Sequence, residues 1–451
     1  RRGRRSRRGA WLACRAVSRR ARGGEEAAPT VVISGAEGLQ PEDRWVAALD
    51  LEGFGREVTE LGRRLEREQG EEDIEHLHKM VSWSDACAAV GLATMWMEPN
   101  IVSVVALSLW THSRWTMIGH HCSHGGYNRT DETGRYSSRG FAVGSLWRRV
   151  VDWFDWMLPE AWGVEHNQLH HYRLGEDADP DLVERNILAW GGLNKDVMTF
   201  VSMFVWKWYY YAPNTYKELK VAELRRSGQP LPDNFDPQRP FTLVDAALVT
   251  FAGAPAVYSF WDLVLDVIGP YFLARFVLMP LPFLLAGPAF FWHACANLLL
   301  AELLSNFHDF VVITTNHAGE DLYRFERGCK PRSPTFYLRA VVSSANFTTG
   351  GDVNDFMHGW LNYQIEHHVW PNLSMLSYQR GQPELEAICR KYGVPYVQED
   401  VFTRLRKTLD IFTGRSTMRR YPDHLERPED MMLWSDEKAQ RQQAAARSDV
   451  H

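Results

Sequence analysis

The spacing of histidines is the feature that most constrains how this chain can fold. His166, His170 and His171 lie at positions i, i+4 and i+5, and an acidic run at residues 176–181 follows them. On an α-helix, residues four apart share a face, so we expect His166 and His170 to reach one metal ion and His171 to point toward a neighbouring site. Imidazole is the commonest metal ligand, since its neutral form offers a nitrogen near physiological pH. The pattern predicts a metal-binding helix.

Two more histidine clusters accompany this helix. His120 and His124 are again four residues apart, with His121 between them, and a third cluster occupies residues 364–368. Together with residues 166–171, these short windows hold eight of the chain's 17 histidines. A random distribution would place fewer than one histidine there, so the three clusters are expected to meet in space.

One further histidine is expected to join these clusters. His317 lies just after an apolar block, in a polar stretch at residues 315–321, whereas His308 lies nine residues earlier and can be packed within a helix. We favour His317 and keep His308 as the alternative. So many histidines exceed the needs of one ion, because a closed zinc site takes four ligands. Two ions are therefore expected, and imidazole alone does not choose among zinc, copper, iron and nickel.

Long apolar segments indicate a membrane protein. A spanning helix needs about 20 apolar residues, and four segments approach this length in two adjacent pairs. The first pair can also be interpreted as one kinked span, and the second pair is divided by a Gly287–Pro288 break. The four segments are residues 80–97, 100–119, 271–286 and 288–305.

Two other apolar segments carry charged residues. Residues 197–211 and 243–268 are therefore predicted to be interfacial or partly buried helices rather than spans. The two hairpins place the long polar segments on one side, and the basic residues there favour the cytosol or an equivalent compartment. The expected fold is an all-α integral membrane protein with about four transmembrane helices in two hairpins. A helical cap would carry a histidine-ligated dimetal site.

The chain divides into four expected regions. Residues 1–24 contain ten arginines and no acid, so residues 1–40 are predicted to be a basic, disordered N-terminus, either an organelle transit peptide or a plain basic tail. Residues 41–80 form a soluble helical lead-in, residues 81–400 the membrane domain, and residues 401–451 a polar C-terminal tail.

Charge and cysteine usage bear on the class of function. The net charge of −6 excludes no class by itself, and beyond the basic N-terminus the sequence does not suggest nucleic-acid binding. Six cysteines are scattered without a C-x-x-C pair, which argues against a zinc ribbon and against a cysteine-ligated iron–sulfur centre.

With these motifs, the chain resembles the membrane fatty acid desaturase family. That family has three histidine boxes of the forms H-x-x-x-H, H-x-x-x-H-H and [HQ]-x-x-H-H, which correspond here to residues 120–124, 166–171 and 364–368. The apolar double span lies between the second and third boxes. A third box beginning with glutamine resembles the front-end and related acyl-lipid desaturases. The His-Pro-Gly-Gly motif of a fused cytochrome b5 is not found in this sequence, so a separate electron donor is implied.

The resemblance implies a membrane-bound acyl-lipid desaturase that introduces a C=C bond into an acyl chain with O2 and two electrons at a non-haem di-iron centre. Gln364 could ligate through its carbonyl oxygen, hold a water ligand or line the site, and we favour indirect or weak ligation. The implied metal ligands are His120, His124, His166, His170, His171, His317, His367 and His368, with His121 and Gln364 as further candidates. The acids expected to orient them are Glu165, Asp177, Asp179, Asp181, Asp321 and Glu366.

The same resemblance implies the partners. The substrate would be an acyl-lipid or acyl-CoA within the lipid bilayer. The protein would cross a plastid membrane or the membrane of the endoplasmic reticulum several times. Ferredoxin would supply electrons in a plastid, and free cytochrome b5 in the endoplasmic reticulum.

Other functions fit the same residues. A membrane di-iron hydroxylase or ketolase would use the same histidines and differ in its product, which would contain added oxygen. A zinc-dependent membrane lipid hydrolase would bind about one zinc ion per chain instead of two iron ions. A non-catalytic metal-binding membrane protein is the third alternative.

Overall fold

The computed structural model describes residues 38–186 and 194–432, which are mostly helical. The basic N-terminal segment predicted at residues 1–40 therefore lies almost wholly outside the described residues, as does the part of the predicted tail beyond residue 432.

The first predicted hairpin is present as two long helices. Glu71–Thr94 is followed by a turn at residues 95–100 and by Ile101–His112, which continues as a π-helical segment, Ser113–Gly119. The Asn100 side chain accepts the Ser103 amide at 2.9 Å and so caps the second helix. A Cβ atom at Gly91 would lie 2.7 Å from the Leu107 side chain, which explains how closely the two helices pack.

The second predicted hairpin contains the longest apolar helices. Phe260–Leu285 and Pro288–Asn316 are the two helices in the described part of the chain that are long and apolar enough to cross a membrane. The predicted break is confirmed, because Gly287 has φ = 136° and caps the second of these helices. Two of the four predicted spans thus correspond to described helices that are long and apolar enough to cross a membrane.

The boundaries of the second hairpin differ from the prediction. The stretch 243–268 is divided after the helix Leu243–Ala252, where Gly253 has φ = 68°, and its second half joins the first candidate span. Two aspartates explain this difference. Asp262 takes part in the Ser259 capping box, and Asp266 accepts a hydrogen bond from the Tyr216 hydroxyl at 2.5 Å, so both acids have partners at the start of the helix.

One asparagine of the second hairpin binds the turn of the first hairpin. Asn297 accepts the Asn100 amide at 3.0 Å and donates to the carbonyl oxygens of Met95 at 2.9 Å and Met97 at 3.0 Å. These bonds satisfy polar backbone groups at the end of one helix and the start of the next. Without them, those groups would have no hydrogen-bond partners. The turn of the first hairpin is thereby fixed against the second.

Two further helices have exposed apolar faces. Lys195–Trp206 continues through the π-helical Lys207–Tyr211 into Ala212–Arg226, and Leu243–Ala252 lies nearby in the fold. Exposed residues on the first and last of these segments are Val197, Phe200, Val201, Val244, Leu248 and Phe251. Amphipathic faces of this kind are typical of interfacial helices.

Buried ion pairs connect several of the helices. The Lys207 ammonium donates to Asp155 at 2.8 Å and to Asp309 at 2.9 Å, and all three side chains are fully buried. Arg275 and Glu302 form a second fully buried pair, 2.6 Å apart. Pairing is required, because an isolated charge in such surroundings would be strongly destabilising.

The cap combines the N-terminal and C-terminal parts of the chain. Helix Leu51–Glu68 packs against Met375–Tyr392, and Val401–Thr413 lies against the end of the second span. Small strands join distant segments: Tyr323–Arg324 pairs with Arg419–Arg420, Gly328–Cys329 with Met431–Met432, and Asn346–Phe347 with Gln398–Glu399. Residues 401–432, predicted to belong to a polar tail, thus form part of the cap.

Shorter helical segments complete the described residues. Those that carry histidines are His120–Ser123, Gly163–His170, His171–Arg173 and Gln364–Val369, and Thr314–Asn316 directly precedes His317. The others are Pro41–Asp43, Arg44–Ala48, Leu146–Arg148, Arg149–Trp153, Pro159–Trp162, Val183–Asn186, Pro334–Val342, Asp352–Met357, Leu361–Tyr363, Asp423–Leu425 and Pro428–Asp430.

Candidate metal centre

The eight histidines predicted as ligands meet in two groups. In each group the nitrogen atoms that could bind a metal all lie within 4.8 Å of one another. The five-histidine group contains His120, His124, His166, His171 and His367, and the three-histidine group contains His170, His317 and His368. Four separate parts of the chain thus contribute to one buried region.

The five-histidine group contains a closed ring of nitrogen atoms. The Nε2 atom of His120 lies 2.9 Å from that of His367 and 3.1 Å from that of His166. The Nε2 atom of His171 completes the ring at 3.2 Å from His166 and 3.1 Å from His367. A neutral imidazole has one donor and one acceptor nitrogen, so convergent Nε2 atoms at these distances fit a shared cation.

The three-histidine group is completed by Gln364. The Nε2 atoms of His317 and His368 are 3.3 Å apart, and the amide nitrogen of Gln364 lies 2.8 Å and 3.1 Å from them. The amide oxygen and nitrogen exchange places by a simple rotation, so the carbonyl oxygen is within reach of the same group. That oxygen is buried and has no hydrogen-bond partner among the described residues. Gln364 therefore fits a role at the edge of this group.

The partition of the second box differs from the predicted one. Gly163–His170 is a π-helix, in which hydrogen bonds run from i to i+5, and not the α-helix on which the expectation was based. The winding brings His171 to His166, while His170 joins His317 and His368. His166, His170 and Asp181 form a further set within 4.8 Å, so Asp181 borders both groups.

A carboxylate holds one of the histidines. The Nδ1 atom of His170 lies 2.9 Å from Asp179 Oδ1, and Asp179 itself accepts the backbone amides of Gly175 at 3.0 Å and Asp181 at 2.9 Å. Burial lowers the pKa of His170, but the Asp179 carboxylate more than offsets this and raises the pKa above its ordinary value. Such a carboxylate orients the ring of a metal-ligating histidine.

The other grouped histidines are neutral at physiological pH. Burial, followed by repulsion from neighbouring imidazoles, lowers the pKa of each well below its ordinary value. This applies to His120, His124, His166, His171, His317, His367 and His368. The neutral form is the one that binds a metal ion.

The remaining predicted acids have other partners. Asp177 pairs with Arg324 at 2.5 Å, and Asp321 pairs with Arg404. Glu366 accepts the Tyr396 hydroxyl at 2.6 Å, and burial raises its pKa to about 7. Glu165 is fully buried, and burial together with the adjacent Asp181 raises its pKa well above the ordinary value.

Two candidate histidines lie outside the groups formed by the described residues. His121 bonds through Nδ1 to the Met117 carbonyl oxygen at 2.6 Å, and burial lowers its pKa to about 4. His308 stacks on His112, with ring centres 4.2 Å apart, and donates to the Met357 carbonyl oxygen at 2.7 Å. The geometry thus favours His317 over His308.

A largely apolar cavity adjoins both groups. His120 and His166 of the five-histidine group and His170 and His317 of the three-histidine group face it. Most of its remaining wall is aromatic or aliphatic, including Trp115, Trp162, Trp206, Tyr209, Tyr210, Tyr211, Phe310, Ile313 and Phe412. The site therefore combines nitrogens that could bind metal ions with a largely apolar pocket.

Two supporting residues are not evident from the sequence. Tyr378, whose hydroxyl lies 3.3 Å from His367 Nδ1, has no distinguishing motif. Arg404 lies in the predicted tail, 83 residues from its partner Asp321. Local spacing contains no signal for contacts over such a separation.

Fold and site together define a helical protein with two histidine groups that could hold metal ions beside an apolar cavity. The sequence matches the profile of the fatty acid desaturase family over residues 95–400, which is more than half of the chain. The chain therefore belongs to the fatty acid desaturase family.

Relatives of known activity match over short segments. An acyl-lipid (9-3)-desaturase of Physcomitrium patens is 28% identical over 118 residues, which are 26% of this chain and 21% of that protein. A delta(8)-fatty-acid desaturase of Euglena gracilis is 33% identical over 104 residues, 22% of each chain. An NADPH-dependent stearoyl-CoA 9-desaturase of Mycobacterium tuberculosis is 34% identical over 73 residues, 16% of this chain and 17% of that protein.

These alignments thus cover about a fifth of the length of each relative. No solved structure matches this chain.

Proposed function

We propose that this protein is a membrane-bound acyl-lipid desaturase that introduces a C=C bond into an acyl chain, using O2 and two electrons at a non-haem di-iron centre. The observation that carries the proposal is the meeting of two histidine groups at the wall of an apolar cavity. Family membership supports it, as do the names of the relatives, which include acyl-lipid and acyl-CoA desaturases.

The donor set fits two iron ions. Neutral imidazoles suit iron, and the two groups and Gln364 provide separate sets of donors for two ions. Di-iron chemistry would supply the oxidant needed to remove two hydrogens from an unactivated acyl chain, which no side chain alone can do. The ligands would be the eight grouped histidines, with Gln364 acting directly or through water.

The protein's own residues would prepare the site. Asp179 fixes the ring of His170, and Trp162 stacks on His166 with ring centres 4.3 Å apart. Each imidazole is thereby held in its own fixed orientation. The aromatic wall excludes water and would hold the acyl chain with one carbon next to the histidines. Regioselectivity would follow from where the chain is stopped.

The membrane setting forms part of the proposal. The two candidate spans, the first helical hairpin and the exposed apolar faces of the helices at residues 195–206 and 243–252 support a protein embedded in a bilayer. We propose four spanning helices, a cap on the cytosolic or equivalent side, and a plastid membrane or the endoplasmic reticulum as the location. Electrons would come from a separate ferredoxin or cytochrome b5.

Expression in yeast followed by lipid mass spectrometry tests the function. We expect a new double bond in one class of acyl chain, without added oxygen, and about two iron ions per purified chain. A product carrying a hydroxyl or keto group would instead establish the hydroxylase or ketolase alternative. About one zinc ion per chain and no oxidised product would contradict the proposal and favour a hydrolase.

A further inference from the structure

We propose that Arg404 is a positioning residue that holds the segment carrying His317, and that it thereby controls metal binding at the three-histidine group alone. The inference rests on the proposed role of His317 as a metal ligand. His317 differs from its partners because it follows the end of the long helix Pro288–Asn316, whereas His170 and His368 lie within helical segments.

Arg404 brackets His317 along the backbone. Its Nη2 donates to the Ala318 carbonyl oxygen at 2.8 Å, and its Nε donates to the Thr315 carbonyl oxygen at 3.3 Å. These carbonyls flank His317 on both sides. The guanidinium is therefore attached to the backbone next to the ligand and not to the ligand itself.

Two carboxylates hold the guanidinium in place. Arg404 Nη1 lies 2.8 Å from each oxygen of Asp321 and 3.3 Å from Glu399, and the Arg404 side chain is fully buried. A buried guanidinium requires such partners, since its five donors cannot be left without acceptors. Lysine would present a point charge and could not bond to this set of acceptors in one fixed geometry.

The location at a helix end explains the choice of a cation. The last carbonyl groups of a helix have no partners within the helix and carry the negative end of its dipole. Arg404 supplies both a donor and a positive charge there. Gly319 provides the space, because a Cβ atom at this position would lie 2.5 Å from Asp321 Oδ1 and 2.7 Å from Arg404 Nη2.

A neighbouring lysine offers a matched control. Lys407 lies one helical turn after Arg404 and pairs with the same two acids, at 2.8 Å from Asp321 and 2.7 Å from Glu399. Its hydrogen bonds in the described structure go to these acids and not to the backbone around His317. Removing Lys407 therefore tests the ion pair without removing the backbone contacts.

The experiment measures metal content rather than activity alone. The wild-type protein and its Arg404→Gln, Arg404→Lys and Lys407→Ala variants are purified in detergent, depleted of metal and titrated with Fe2+ without oxygen. We expect Arg404→Gln to weaken one of two Fe2+ sites about 10- to 100-fold, the range seen when groups that orient metal ligands are removed. Arg404→Lys should lie in between, and Lys407→Ala should bind like the wild type.

Selective loss separates positioning from general destabilisation. A variant that merely unfolds would lose both sites together, whereas the inference predicts that the five-histidine group keeps its ion. If Arg404→Gln does not fold, Gly319→Ala tests the same contact, because the added methyl displaces the guanidinium. Two wild-type-like Fe2+ sites in the folded Arg404 or Gly319 variant would overturn the inference.

The two proposals fail in different ways. A wild-type protein that binds no Fe2+, or one zinc ion only, contradicts the proposed desaturase. A wild-type protein with two Fe2+ sites, both unchanged by Arg404→Gln, contradicts the role of Arg404 and leaves the desaturase assignment standing.

Discussion

The Nε2 atoms of His166 and His171 lie 3.2 Å apart although the two residues are five positions apart in the sequence. An α-helix would bring the residue at i+4 beneath His166, but the π-helical winding of this segment brings the residue at i+5 there. Adjacent residues, His170 and His171, are thereby directed to different groups. The local backbone thus allows one short segment to serve both candidate metal ions.

The adjacent histidines should have unequal effects on metal binding. His170→Ala leaves two histidines in the three-histidine group, whereas His171→Ala leaves four in the other. We expect His170→Ala to lose one ion and abolish desaturation while membrane insertion is retained. His171→Ala should retain more iron per chain than His170→Ala. Iron analysis and lipid mass spectrometry of the two variants test this difference. Retained activity in His170→Ala would contradict the assignment.

The Asp179 carboxylate should be required for tight metal binding. Asp179→Asn keeps the shape of the side chain but removes the charge that faces His170 Nδ1 at 2.9 Å. We expect the affinity for Fe2+ to fall about 10- to 100-fold. Asp177→Asn is the control, because Asp177 is half exposed and pairs with Arg324. Equal Fe2+ affinities in the two variants would show that Asp179 does not orient the ligand.

Gln364 should act through a neutral donor. Gln364→His supplies an imidazole nitrogen to the three-histidine group, and we expect both Fe2+ ions and the desaturase activity to be retained. Gln364→Leu has no side-chain atom that can bind a metal or a water ligand, so we expect it to weaken one Fe2+ site. Metal titration and product analysis of both variants provide the measurement. Wild-type behaviour of the leucine variant would reduce Gln364 to a lining residue, and loss of activity only in the histidine variant would indicate a role specific to glutamine.

Local pattern predicted the participants of the site better than their arrangement. The eight histidines and the break at Gly287 follow from spacing and from backbone chemistry, which sequence records directly. The partition of His166 and His170 does not, because helical spacing assumes α-winding. The polar start of the first candidate span is not evident from spacing, because the partner of Asp266 is Tyr216, 50 residues away. Arg404 shows the same limit, since long-range contacts leave no periodic signal.

Packing of the cap should depend on Gly62. A Cβ atom there would lie 2.2 Å from the indole nitrogen of Trp370, which is nearly buried between helices. We expect Gly62→Ala to destabilise the protein by about 1–3 kcal/mol, the usual effect of overpacking a core. Gly140→Ala is the control, because a methyl group added there would have no neighbouring atom within 4 Å. Thermal unfolding in detergent measures both, and equal transition temperatures would contradict the close contact.

The cavity should determine which acyl chains are accepted. Ile313 lines it within the helix Pro288–Asn316, next to the three-histidine group, so Ile313→Trp would fill part of the space. We expect both Fe2+ ions to be retained, while activity falls or shifts toward shorter acyl chains. Leu299→Trp is the control, since Leu299 is 49% exposed on the same helix. Feeding fatty acids of several lengths to the expressing yeast gives the profile. An unchanged profile in the Ile313 variant would mean that the acyl chain binds elsewhere.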